Sequence, residues 1–237
     1  MQSATKFELP KDFVFVKELI PDVVEHLRYG TEENFVGRVI EGYKRTDGAV
    51  LTRLAAESLS RISKKLNADG YKLVIYDTYR PQRAVNNFIE WAEVVSDAAK
   101  KDLYYPLVDK KDVFEKGYVA KRSGHSRGST VDIGLLEVGK ILQPVKVIQR
   151  KFKNGREYNY LDDGTVDMGT SWDFLDVSSH YENDLVDEEI TKRRLYLRGL
   201  FEEEGWKITP REWWHFTYIN EPFPDTYFDF VVEKDAN

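Results

Sequence analysis

Leu51, Leu54, Ala55, Leu59, Ile62 and Leu66 recur at intervals of three and four, the spacing that gathers apolar side chains on one helical face. That helix should stop at "NADG", where Gly70 can take a left-handed cap. "YKLVIYDTY" (71–79) is a short run rich in β-formers and reads as a buried strand. A second helix follows in "RPQRAVNNFIEWAEVVSD": Pro81 suits a first helical turn, and Val85, Phe88, Ile89, Ala92 and Val95 form its apolar face. Residues 128–136 read as a strand, and 139–150 as an added hairpin arm. "DEEITKRRLYLRGLFEEEG" is a third helix that ends at Gly205, followed by "WKIT" and the aromatic strand "REWWHFTYI". Residues 1–48 look irregular, with turn signals at Gly30, Gly37, Gly42 and Gly48. Residues 151–187 show little periodicity and read as a long loop, a kind of segment that often carries function. The pattern predicts an α+β fold, with a few helices packed on a mostly antiparallel sheet. With no internal repeat and no low-complexity linker, residues 1–237 are read as a single domain, residues 1–15 being an irregular N-terminal extension with no assigned role.

Composition narrows the function classes. A chain of 237 residues can bury a sizeable core, and 41% hydrophobic with 32% charged residues is ordinary for a globular protein. The net charge of −6 argues against nucleic acid or an anionic membrane surface as main partner. No apolar stretch approaches the ~20 residues of a membrane helix. The N-terminal segment lacks a basic region followed by an apolar one, so a cytoplasmic location is the expectation. There is no cysteine, which excludes disulfides, thiolate catalysis and Cys-type metal sites; a transition metal would need His and carboxylates.

Candidate chemistry begins at "SGHSRGSTVDIGLL" (123–136), where Asp132 is a lone acid among Val131, Ile133, Leu135 and Leu136. Only four histidines are present, and His125 lies seven residues before it. In "EWWHF", Glu212 precedes His215 by three; on a regular strand such residues face opposite sides, but at a bend both can reach one cavity. Each residue has a plain structural reading: His215 beside two tryptophans as a core histidine, Asp132 as a buried acid bonded to backbone N–H groups, Glu212 as a solvated acid, Arg80 as half of an ion pair. Together, His125, Asp132 and His215 supply two imidazoles and a carboxylate, a three-ligand set suited to catalytic zinc with a fourth position open. Glycines at 124, 128 and 134 would let the backbone turn tightly there.

"SGHSRGSTVDI" followed by "EWWHF" resembles the S-x-H-x-x-G-x-x-x-D and E-x-x-H motifs of the VanX-type D-alanyl-D-alanine dipeptidases. These are zinc peptidases related to D-Ala-D-Ala carboxypeptidases and the hedgehog amino-terminal domain. "YDTYRPQRAV" is similar to the family's D-x-Y-R-P-x-R-A-V segment, and "GYVAKRSGHSRGS", "SWDF", "LDVSSHY" and "EPFPDTYFDF" extend the likeness from Tyr29 to Phe230. The two metal motifs mark the wider clan, and the other segments point to the dipeptidase branch. The resemblance implies one zinc per chain in a central cleft, held by His125, Asp132 and His215. It implies Glu212 as general base and Arg80 as the residue stabilising the reacting carbonyl, with Tyr29, Ser123 and Asp173 at the substrate. Asp77 can hold the Arg80 guanidinium or be a surface acid. Gly124 departs from members that carry a second serine there, which touches at most a minor substrate hydrogen bond.

The implied activity is hydrolysis of the free dipeptide D-Ala-D-Ala, a peptidoglycan (cell-wall) precursor, serving glycopeptide resistance or recycling in related proteins. Two other readings are a D,D-carboxypeptidase or wall endopeptidase of the same clan, and a zinc-stabilised binding module without turnover. Retention of Glu212 and Arg80 disfavours the last, and a peptidase assay with and without chelator separates it.

Overall fold

The structure, a computed structural model, describes residues 8–43 and 48–232. A five-stranded sheet forms the centre: β2 (Val24–Glu25), β4 (Tyr71–Asp77), β5 (Thr130–Glu137), β9 (Glu212–Tyr218) and β8 (Trp206–Thr209), hydrogen-bonded in that order. The β2–β4 pair is parallel and the other pairs are antiparallel. Two small two-stranded sheets flank it, β1 (Phe13–Phe15) with β3 (Val50–Thr52), and β6 (Lys146–Lys151) with β7 (Glu157–Asp162). The helices are α1 (Val16–Leu19), α2 (Arg53–Ala68), α3 (Gln82–Glu93), α4 (Lys101–Tyr104) and α5 (Glu188–Glu203). This is the α+β architecture expected from the sequence.

Two helices hold the sheet. The α2 face of Ala55, Leu59, Ile62 and Leu66 is buried and packs against β4. On α5, Phe201 stacks on Phe216 of β9 at 3.8 Å between ring centroids and meets Trp206 of β8 edge-on at 5.5 Å. Each such side chain, fully buried, stabilises by roughly 1.5–3 kcal/mol. Arg194, also on α5 and buried, has no carboxylate partner among the described residues; its guanidinium donates to the Met168, Ser178 and His180 carbonyls. A helix thereby fastens a long stretch that has no periodicity of its own.

Several boundaries differ from the sequence reading. Leu51 belongs to β3, because Thr52 is extended and pairs with Phe13, and the helix starts only at Arg53. Leu54 is left half exposed. Pro81 is the N-cap of α3 rather than part of its first turn, and Val95 lies beyond the helix end, 62% exposed. The region 1–48 is not wholly irregular: β1, α1 and β2 lie in it, and Phe13 is buried, so the extension is ordered by residue 13. Residues 1–7 fall outside the described ones. The hairpin arm exists, but its partner β7 lies inside the stretch read as loop.

The glycines of the 123–136 segment serve two purposes. Gly128 has φ +78° and closes the turn before β5. Gly124 and Gly134 do not turn the chain; they make room, since a Cβ at 134 would fall 2.9 Å from the Tyr76 ring and one at 124 would fall 2.6 Å from Thr130 Oγ1. At Gly128 both costs coincide, because a Cβ there would also strike the Phe13 ring. Gly128→Ala is therefore expected to destabilise the protein by at least ~1–3 kcal/mol, the scale of one strained backbone residue. Denaturant unfolding checks this, and an unchanged midpoint would contradict it.

Candidate active site

Three strands bring together residues far apart in sequence. Asp77 on β4 is opposite Asp132 on β5, and Asp132 is opposite His215 on β9, so they form one row across the sheet. The site depends on two irregularities, one for the row and one for the shared aspect of Glu212 and His215. The β4–β5 register shifts between Ile75 and Asp77. The β8–β9 register jumps from the pair Ile208–Phe216 to the pair Thr209–Glu212. Residues 213–215 thus bulge from the β8–β9 ladder, while His215 stays paired with Asp132 of β5, and a bulge re-aims side chains. Glu212 and His215, three apart, end on the same cavity, with Glu212 Oε2 3.4 Å from His215 Nδ1.

His125 arrives on a short 3-10 turn, Gly124–Arg127, capped by Ser123 Oγ, which accepts the His125 backbone N–H at 3.2 Å. Its Nδ1 donates to the Thr78 carbonyl at 2.7 Å, which leaves Nε2 as the bare nitrogen facing the cavity. Asp132 Oδ1 lies 3.3 Å from that Nε2 and 3.0 Å from His215 Nδ1. The two ring nitrogens are 3.4 Å apart. Among the described residues this is the trio whose donor atoms converge as metal ligands do. Asp132 Oδ1 is buried without a hydrogen-bond partner. Buried carboxylate oxygens are rarely left so, and a cation between these three atoms would satisfy it. Burial alone would raise the Asp132 pKa, but His125 and His215 outweigh it and hold the carboxyl well below its ordinary range. The donor set of two imidazoles and one carboxylate fits a zinc-type metal.

Arg80 follows β4 and is buried. Its Nε donates to Asp77 Oδ2 at 2.9 Å, its Nη2 forms an ion pair with the same oxygen at 2.8 Å, and Asp77 Oδ1 accepts from Tyr43 at 2.7 Å. Asp77 is therefore not a surface acid; it holds the guanidinium. The Tyr29 and Phe88 rings lie 5.0 and 5.1 Å from the guanidinium carbon. Burial works against the charge of Arg80, but Asp77 and the neighbouring tyrosines more than offset it, leaving its pKa above the ordinary value.

Tyr29 donates to Asp173 Oδ2 at 2.6 Å. Asp173 has a left-handed backbone, φ +59°, unusual outside glycine and a feature that clusters at functional sites. Burial, and after it the charge of Asp132, pushes both Asp173 and Glu212 well above the ordinary carboxylate range. A cavity of about 190 Å³ joins the whole set. Tyr29, Arg80, Ser123, His125, Asp132, Asp173, Glu212 and His215 all line it, so every site residue singled out in the sequence meets there. The sequence reading missed the apolar wall of Phe35, Phe88 and Leu175, while Gly117–Ala120, quoted in "GYVAKRSGHSRGS" without individual roles, also lines the cavity. Those residues read as ordinary core or loop positions without a three-dimensional arrangement. Trp172, which donates to Asp132 Oδ2 at 3.4 Å, stood in the quoted "SWDF" without a role of its own.

The profile of peptidase family M15, described as D-ala-D-ala dipeptidase, matches residues 10–145 and 159–233. Proteins named D-alanyl-D-alanine dipeptidase from Enterococcus faecium and Streptomyces coelicolor are each 34% identical to this chain, over 93% of it and 98% of their own length. One of the same name from Escherichia coli is 26% identical over 86% of this chain and 83% of its own length. Among the described residues no helix is long and apolar enough to cross a membrane.

Proposed function

The chain belongs to the M15 D-Ala-D-Ala dipeptidase family of metallopeptidases, and on that premise we propose that it cleaves free D-Ala-D-Ala to two D-Ala with one zinc ion held by His125, Asp132 and His215. The observation that carries the reading is the convergence of those three donors, with one buried carboxylate oxygen unsatisfied, beside Glu212 and Arg80. Zinc held there would supply Lewis-acid charge for the scissile carbonyl and would acidify the attacking water. Glu212 takes that water's proton and later gives it to the leaving amine. Arg80, fixed by Asp77, stabilises the negative oxygen that develops in the transition state. Asp173 binds the substrate ammonium, with Tyr29 occupying Oδ2 and leaving Oδ1 for the ligand. Ser123 and nearby backbone serve the carboxylate. Residues 1–237 act in this reading as one catalytic domain.

The substrate is small because the site reads both of its ends. A buried Asp173 facing an acylated nitrogen would lose its cationic partner, which typically costs several kcal/mol. D-Ala-D-Ala should therefore exceed N-acetyl-D-Ala-D-Ala and a D-Ala-D-Ala-terminated pentapeptide in kcat/KM by ~10²-fold or more. L-Ala-L-Ala should also fail, since inverted centres aim its methyls at polar contacts. Measuring kcat/KM for the four compounds, with and without chelator, tests the proposal. Equal rates on dipeptide and pentapeptide would make the protein a carboxypeptidase, and turnover resistant to metal removal would remove zinc from the account.

A further inference from the structure

We propose that Trp172 is a positioning residue that decides which oxygen of Asp132 faces the metal ligands and keeps Arg80 free for the substrate. The inference rests on the metal reading above and adds a residue to it. The two oxygens of Asp132 have different neighbours. Oδ1 meets His125 and His215, at 3.3 and 3.0 Å. Oδ2 accepts the Trp172 indole N–H at 3.4 Å, and Arg80 Nη2 stands 3.9 Å from the same oxygen. Arg80 is thus a competitor. A guanidinium and a carboxylate attract strongly where water is excluded. A carboxylate free to rotate would close on Arg80, turning Oδ1 away from the two imidazoles and occupying the cation meant for the reacting carbonyl. A neutral donor on Oδ2 satisfies that oxygen where it stands.

Trp172 can do this because it is itself immobilised. It is buried, with its ring stacked on Tyr76 at 5.3 Å and 20° between planes, and Tyr29 lies against it at 5.1 Å. The Arg28 guanidinium carbon sits 5.2 Å from the Tyr76 ring centre and 5.8 Å from that of Trp172. Asp163 Oδ2 accepts from Arg28 at 2.5 Å and from the Tyr76 hydroxyl at 2.9 Å, which locks both. Gly134 belongs to the same device, since its missing side chain is what admits the Tyr76 ring.

The test is zinc binding by the metal-free protein, titrated against a chromophoric chelator. Trp172→Phe keeps an aromatic ring and loses the donor. Its zinc affinity should fall about tenfold, the low end for loss of a partner to a metal ligand because the bond is long. The visible absorption of the cobalt(II)-substituted protein should change with it. In an Arg80→Gln background the competitor is gone, so the same Trp172→Phe change should cost little, whereas a role in packing alone predicts an equal loss in both backgrounds. If the Phe variant does not fold, benzothienylalanine at 172, similar in size and without the N–H, replaces it in the same titrations. Wild-type zinc affinity in the variant, or equal losses with and without Arg80, would overturn the proposal. Wild-type protein that binds no zinc, or a His215→Ala protein that binds it as tightly as wild type, would instead sink the metal reading.

Discussion

Glu212→Gln is expected to lower kcat by ~10²–10⁴, the usual contribution of a positioned general base, while zinc content per chain stays at the wild-type level. The two halves of this result separate proton transfer from metal binding. Glu212 Oε2 lies 3.4 Å from His215 Nδ1, close enough to face the same reacting atoms, yet it is outside the converging trio. Burial, and after it the nearby Asp132 charge, pushes its carboxyl above the ordinary range, the direction that makes it the stronger proton acceptor. Glutamine has nearly the same shape and cannot take the proton, so packing should change little. Single-turnover assays with elemental analysis of the same samples check both halves. Near-wild-type turnover would remove Glu212 from the proton path, and parallel loss of zinc would make it a ligand.

What the sequence made legible follows from the length scale of each signal. Helices α2, α3 and α5 each carry apolar positions over three or more turns, and they were found to within a few residues. The strands β1 and β2 span three and two residues, too short for any period to register, and they owe their existence to neighbours on β3 and β4. β7 was hidden because Glu157, Asn159 and Asp162 make it read as loop, although Tyr158 and Tyr160 alternate with them. The site residues were visible by type, since a lone acid in an apolar strand and a His beside a Glu invite a chemical reason. Their meeting was not, because the Asp77–Asp132–His215 row and the shared aspect of Glu212 and His215 depend on two register shifts. Residue types do not encode a register shift locally; it is settled by what packs across the strands. The same holds for Asp77, whose grip on Arg80 requires a burial that spacing alone could not reveal.

His215→Ala is expected to abolish both metal and activity, with zinc affinity falling by more than ~100-fold, since even partners of ligands cost 10–100-fold. Two donors would remain, His125 Nε2 and Asp132 Oδ1, 3.3 Å apart, against the three or more protein ligands of a catalytic zinc site. The side chain is also partly reachable: His215 is 18% exposed where His125 is 1% and Asp132 2%, so its removal opens the site to water rather than collapsing the core. The fold should survive, because β9 is held by Val131–Phe216 and Thr130–Thr217 pairing and by the Phe201–Phe216 stack, none of which involves the imidazole. Circular dichroism would then be near wild type while elemental analysis and turnover both fall to background. This separates the ligand from the base: the Glu212 variant keeps metal without turnover, and the His215 variant keeps neither. Full zinc occupancy in His215→Ala would mean that the trio is not the metal site, and the unsatisfied oxygen of Asp132 would then need another partner.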